Sequence, residues 1–260
     1  MYTRELTVQP SDASCFGQIK LHSLLDYLQD TASQAVEGLE GTATELMARG
    51  YAWVVTRYEV ELTGPLPALD DRFVIRTYHD PNHGYGTLRV FEVTRPDGTP
   101  LVWAKTSWLL LDLAAGRPVR PSAHLPEITK RDTEPIGPDF RDIPGFPPDA
   151  EVRDTPFPVR FHDLDTNGHV NNAVYFEWVF EATPLDPMEY AIRSVSASFR
   201  SGARRGDRPH VQAAELTGSQ ASPGRRDFVY RIVSEGDEPG RSGTGPKPRT
   251  LFMCSWESRS

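Results

Sequence analysis

The chain has 260 residues, 38% of them apolar, and a formal net charge of −8 at neutral pH. That length can bury a sizeable core, as one large domain or two small ones, whereas the acidic balance argues against nucleic acid or an anionic membrane surface as the main partner, since both require a basic footprint. No apolar run reaches the length of a membrane span, and MYTRELTVQP lacks the charged start and apolar core of a signal peptide, so a cytoplasmic protein is expected.

Tyr2 to Val8 alternates as a short strand, and Pro10 to Ser14 follows as a turn before Phe16 and Gly17. Leu21, Leu24, Leu25, Leu28, Ala32, Ala35 and Val36 then form an apolar stripe at helical spacing, with Gly38 where a C-terminal stop is expected. Thr42 and Glu45 form a capping box for a short second helix ending near Gly50. Four strand-like segments come next, Trp53 to Leu62, Arg72 to Tyr78, Thr87 to Thr94 and Leu101 to Leu111, separated by Pro- and Gly-bearing turns.

From Arg117 to Pro158 there are ten prolines and no sustained period, which reads as an ordered or semi-rigid linker. The expected organisation is therefore an N-terminal domain over 1–116, a linker over 117–156 and a C-terminal domain over 157–260. Phe157, Val159 and Phe161 alternate with Arg160 and His162 like a half-buried strand; Asp163 to Gly168 is a polar turn; Val170, Val174, Trp178, Val179 and Ala182 recur at helical spacing. Strands are expected again at Arg193 to Arg200, Pro209 to Leu216, Asp227 to Ser234 and Thr250 to Trp256. Cys15 and Cys254, the only two cysteines, form no disulfide framework or metal-ligand spacing and read as structural.

The two halves overlay at a constant offset, with Asp12 on Asp163, Gly17 on Gly168, Ile19 on Val170 and Asp26 on Glu177. Ser14, Phe16 and Gln18 fall opposite Asp165, Asn167 and His169, so the scaffold repeats while the polar triad occurs once, and one active site per chain is expected. The first half, lacking the triad, would then line the pocket of that site with its apolar residues, around Leu24, Leu25 and Leu28.

The turn admits three readings. Asp and Asn between a strand and a helix are commonly caps and Asx-turns. Asp163, Asp165, Asn167 and Gly168 also occupy the first, third, fifth and sixth places of a calcium loop, but Val174 stands where its bidentate Glu belongs and a strand replaces the entering helix. The third reading is chemistry at a helix N-terminus, where unpaired N–H groups favour developing negative charge.

The run DLDTNGHVNNAVYFEWVFEATP resembles the signature of the acyl-acyl carrier protein thioesterases of plants and bacteria, within the hot-dog-fold thioesterases. The resemblance implies an α+β tandem hot-dog, two antiparallel sheets each wrapping a long helix. It carries Asp165, Asn167 and His169 into catalytic positions, with Trp178 and Glu181 matching in type. One departure stands out. Plant members carry a Glu-Cys pair after an aromatic-Arg-Arg run, where this chain reads Phe199-Arg200-Ser201-Gly202-Ala203, and neither Gly202 nor Ala203 can act as acid, base or nucleophile.

What the resemblance implies is hydrolysis of a fatty acyl thioester on acyl carrier protein in fatty acid biosynthesis, with no metal or organic cofactor. Asp165 would activate water or attack the carbonyl directly, Asn167 would position water or Asp165, His169 would orient water or protonate the leaving thiol, and the backbone N–H groups of Gly168 and Val170 would hold the oxyanion. Arg200, Arg204, Arg205 and Arg208 would offer a local basic surface to the acidic carrier. Two alternatives stay open, an acyl-CoA thioesterase and a non-catalytic acyl-binding protein, as does the choice between monomer and homodimer.

Overall fold

The computed structural model describes residues 1–39, 41–125, 136–217, 221–222, 224–234 and 248–259. It divides into two compact units, Met1–Phe140 and Arg141–Ser260.

In the first unit the chain runs β1 (Tyr2–Thr7), α1 (Leu21–Gln34), α2 (Ala43–Ala48), β2 (Tyr51–Leu62), β3 (Arg72–His83), β4 (Gly86–Thr94), β5 (Pro100–Asp112), β6 (Arg117–Val119) and α3 (Pro121–His124). The strands lie antiparallel in the order β1-β3-β4-β5-β2, with β6 added to β5. The leucine stripe of α1 explains its seat: Leu24, Leu25 and Leu28 are at most 1% exposed. Each leucine so buried contributes about 1.5–3 kcal/mol. The capping box forms as expected, with Thr42 and Glu45 exchanging side-chain to backbone bonds, and the bonds from Thr42 hold the Glu45 carboxyl below its ordinary pKa.

The second unit contains β7 (Arg153–Pro156), one 3-10 turn (Phe161–Asp163), α4 (Asn172–Ala182), β8 (Tyr190–Phe199), β9 (His210–Leu216), β10 (Arg226–Val233) and β11 (Thr250–Ser258). Its strand order is β8-β11-β10-β9-β7, antiparallel throughout. Helix α4 is apolar almost all round, as a helix embraced by a sheet must be. Ala173, Tyr175, Phe176, Trp178, Val179 and Ala182 are buried, and Phe176 meets Phe252 edge-on at 5.0 Å. A long helix set against an antiparallel sheet, twice, is the tandem hot-dog plan.

Two expectations need correction. The strand expected at Phe157 to His162 is absent: β7 stops at Pro156, and Phe161 is 68% exposed rather than inward-facing. Pro156 and Pro158 have no N–H to donate, so the ladder cannot continue; the amides of Phe157 and Val159 instead bond the carbonyls of Pro209 and Asp207. The Pro-rich stretch, for its part, carries β6, α3 and β7 and packs on the sheets. Phe140 lies under the Lys105 ammonium at 4.6 Å in the first unit; in the second, Ile143, Phe146 and Ala150 pack against Ala214, Leu216 and Val229. Of the two cysteines, Cys254 is buried, which pushes its thiol pKa up, and Cys15 is exposed.

Candidate active site

The polar turn is a closed backbone device. The Asp165 N–H donates to the His169 carbonyl at 2.7 Å, the Gly168 N–H to the Asp165 carbonyl at 3.0 Å, and Leu164 bridges Val170. Gly168 closes it at φ 71°, a left-handed conformation that a side chain disfavours. Asp163 supports the turn from below. It is 1% exposed, and its carboxylate accepts from the backbone N–H, Nε and one terminal nitrogen of Arg160 at 2.7, 2.9 and 2.7 Å. An acid so engaged is not available as the first ligand of a calcium loop.

Asp165, Asn167 and His169 come together as expected. Asp165 Oδ1 accepts from the backbone N–H groups of Asn167 at 2.8 Å and of His169 at 3.2 Å. Among the described residues Oδ2 receives the Asn167 side-chain amide alone, at 3.4 Å. One carboxylate oxygen therefore shapes the turn and the other remains open to chemistry. The capping reading holds for one oxygen of this side chain and leaves the other for the catalytic reading. His169 Nδ1 lies 3.1 Å from the Asn167 carbonyl, and its Nε2 lies 3.0 Å from Arg204 Nε.

The oxyanion expectation is overturned. The Gly168 N–H is spent inside the turn, and the Val170 N–H donates to the Ala203 carbonyl at 2.9 Å. Neither is free to receive developing charge. Helix α4 itself starts two residues later than that expectation required, its N-cap Asn171 side chain accepting from the Ala173 N–H at 3.1 Å.

Residues 200–207 form the facing wall. A backbone bridge joins His169 to Arg204, and the Ala203 N–H donates to the Tyr175 hydroxyl at 2.7 Å. Arg249 braces the wall through the Gly202 carbonyl at 2.7 Å and the Asp207 carboxylate at 3.2 Å. Gly202 lies against the imidazole: a Cβ there would sit 2.9 Å from His169 Cδ2. Arg200, Arg204, Arg205 and Arg208 are all exposed, and Arg204 turns its Nε to His169. Leu24, Leu25 and Leu28 are core residues of the first unit.

Sequence reasoning missed Tyr175, Arg160 and Arg249. Arg160 had a local signal, its i, i+3 spacing from Asp163 at the entry to the turn. Tyr175 reads as one more apolar helix residue, and Arg249 reaches its partner across 47 positions, with nothing local to announce it.

The repeat holds at atomic detail. In the first unit the Ser14 N–H donates to the Gln18 carbonyl at 2.7 Å, the Gly17 N–H to the Ser14 carbonyl at 2.9 Å, Ala13 bridges Ile19, and Gly17 has φ 70°. Even the facing wall recurs, with Gln18 bridged to Ala68 and the Ile19 N–H bonded to the Pro67 carbonyl at 2.8 Å. Backbone geometry is thus shared, whereas the Asp165, Asn167 and His169 side chains have Ser14, Phe16 and Gln18 at the matching positions of the first unit.

Comparison with known proteins finds two family models along the chain. Residues 1–129 match the family model of the acyl-ACP thioesterase N-terminal domain, and residues 147–244 match that of the acyl-ACP thioesterase C-terminal domain. An acyl-[acyl-carrier-protein] hydrolase of Cuphea viscosissima is 27% identical over 207 residues, covering 73% of this chain and 48% of that protein. The chain spans about half the length of this and most other curated relatives it matches. Among solved structures, the 12:0-ACP thioesterase of Umbellularia californica superposes with a TM-score of 0.83 at 17% identity, covering 99% of this chain and 94% of that one. An acyl-ACP thioesterase from Bacteroides thetaiotaomicron gives 0.76 at 19% identity, covering 98% and 97%. These superpositions establish the shared fold.

Proposed function

The chain belongs to the acyl-ACP thioesterase family, and on that premise we propose that it hydrolyses a fatty acyl thioester on acyl carrier protein to the free acid and the carrier thiol. The observation that carries this reading is the division of labour on Asp165, one oxygen pinned by two backbone donors and the other open beside Asn167 and His169.

Asp165 Oδ2 takes a proton from water as the water oxygen attacks the thioester carbonyl. The tetrahedral intermediate collapses with cleavage of the C–S bond, and the proton passes to the departing sulfur, so that one water is consumed for each acid and thiol released. Asn167, whose backbone and side-chain amides both face Asp165, holds that carboxylate in place. The exposed Arg200, Arg205 and Arg208 give an otherwise acidic protein a local surface for an acidic carrier.

The test is thiol release from acyl carrier protein loaded with medium-chain, palmitoyl and oleoyl groups, with the matching CoA esters in parallel. Asp165→Asn is the informative variant, because an amide oxygen can still accept the two backbone bonds while losing basicity. Faster turnover of carrier substrates, lost by about a hundredfold or more in the variant, is expected. A preference for CoA esters would move the protein to the acyl-CoA thioesterases. Absence of thiol release at any pH would leave an acyl-binding protein.

A further inference from the structure

We propose that Arg204 is a positioning residue of this site, fixing His169 as the neutral imidazole protonated on Nδ1 and supporting turnover through it. The proposal deepens the thioesterase reading and rests on it for the link to turnover.

The argument starts from donors and acceptors. An arginine guanidinium has N–H groups and no acceptor, so Arg204 Nε, 3.0 Å from His169 Nε2, can only donate. The imidazole must then present a lone pair at Nε2. The opposite nitrogen lies 3.1 Å from a carbonyl, that of Asn167, which can only accept, so Nδ1 carries the hydrogen. The two contacts agree on one tautomer.

This contact is built into the backbone. His169 and Arg204 face each other across a backbone bridge, and the next amide, Val170, bonds the Ala203 carbonyl at 2.9 Å. Asp207 accepts from the Arg204 N–H at 3.1 Å and is itself paired with Arg249, which fixes the direction in which residue 204 leaves the wall. Gly202 supplies the clearance, since a Cβ there would meet the imidazole that Arg204 holds.

The molecule contains its own control. In the first unit the same bridge joins Gln18 to Ala68. The duplicated turns thus differ in side-chain chemistry at Ser14 against Asp165, Phe16 against Asn167, Gln18 against His169, and, on the facing wall, Ala68 against Arg204. Arginine appears opposite the histidine and only a methyl group opposite the glutamine. A residue serving carrier docking alone has no reason to point at Nε2, and Arg205, its neighbour, shows that an exposed arginine here need not do so.

The decisive experiment is imidazole 1H–15N correlation on the 15N-labelled full-length protein, with His169 assigned by His169→Gln, together with kcat and KM on a short acyl-pantetheine and on acyl carrier protein. The wild type should show His169 protonated on Nδ1. Arg204→Ala should shift it toward the Nε2–H form and lower kcat on both substrates by about tenfold or more at little changed KM. Arg204→Lys, which restores a donor, should recover part of both effects. A wild-type Nε2–H tautomer, or one unmoved in Arg204→Ala, would overturn the proposal, as would a variant whose sole defect is a raised KM for the carrier substrate. If the wild type releases no thiol from any ester, the thioesterase reading fails and with it the link to turnover, while the tautomer comparison still decides the contact.

Discussion

The Tyr175 hydroxyl accepts a 2.7 Å hydrogen bond from the Ala203 N–H, and through it the central helix holds the wall that faces the catalytic turn. Both partners are buried, and burial pushes the phenol pKa up, so the hydroxyl stays protonated at working pH. Tyr175 also packs edge-on to Trp178 and Phe199 at 5.1 and 5.6 Å, which leaves the ring no other seat.

Tyr175→Phe keeps that packing and removes only the acceptor. The buried Ala203 N–H is left unpaired, at a cost of about 1–3 kcal/mol. An apparent Tm lower by about 2–4 °C per kcal/mol is expected, with a kcat loss larger than the stability loss explains, because Ala203 adjoins Arg204. A variant that melts lower but turns over normally would show that the wall tolerates this slack.

Arg160 and Asp163 form an unequal pair, the arginine side chain 66% exposed and the aspartate 1%. Removing the arginine side chain breaks its two bonds to Oδ1 and leaves the Arg160 backbone N–H on Oδ2, whereas removing the carboxylate breaks all three. Asp163→Ala returns a guanidinium to water and forfeits a turn cap, at about 1 kcal/mol. Arg160→Ala leaves a buried carboxylate with the backbone N–H as its remaining Arg160 donor and should cost more, about 2 kcal/mol after discounting for the exposure of the arginine. Urea midpoints of the two variants check the order, and equal losses would mean that Asp163 is hydrated as soon as Arg160 goes.

The elements themselves were legible wherever a local period or cap carried them: the leucine stripe of α1, the Thr42–Glu45 box and the apolar body of α4. Repetition was legible too, since Asp12, Gly17 and Ile19 share the backbone roles of Asp163, Gly168 and Val170. What sequence reasoning placed wrongly depended on accounting for N–H groups. The strand expected at Phe157 ignored what Pro156 and Pro158 cannot donate, and the oxyanion expectation counted amides of Gly168 and Val170 that the turn and the Ala203 carbonyl already use. The contacts that complete the site, from Arg204, Tyr175 and Arg249, join positions tens of residues apart, where no spacing rule operates.

Lys105 gives a pH signature to the first unit. It is 1% exposed, donates to the Pro138 carbonyl and lies over Phe140, and burial lowers its pKa against the opposing pull of Asp139 and Glu59. Between that lowered value and the ordinary 10.5 the unfolded chain binds more protons than the folded one, so this group makes stability rise with pH. Buried tyrosines work oppositely near pH 10, burial having pushed Tyr27 up to about 12. The comparison must therefore be a difference: the urea midpoint of wild type minus that of Lys105→Met should increase from neutral pH toward about 10. A difference independent of pH would mean that Lys105 keeps its proton equally well in both states.

Gly202 tests how closely the histidine is held. Its absent side chain would fall 2.9 Å from His169 Cδ2, closer than real Cβ contacts allow, and the atoms that must yield belong to the imidazole. Gly202→Ala should therefore push the ring off both Arg204 Nε and the Asn167 carbonyl. The residue is exposed, so Tm should change little, while kcat should fall by about tenfold, the scale expected for a sub-ångström misplacement at a reacting centre. Gly202→Glu goes further, restoring the carboxylate of the plant signature to the position where this chain lacks it. If Arg204 and Gly202 function as a matched pair, the glutamate clashes with the imidazole and captures the guanidinium, and activity falls at least as far as in the alanine variant. A gain of activity would instead mean that the site works as in the plant enzymes and lacks only that acid, and the role assigned to Arg204 would have to be abandoned.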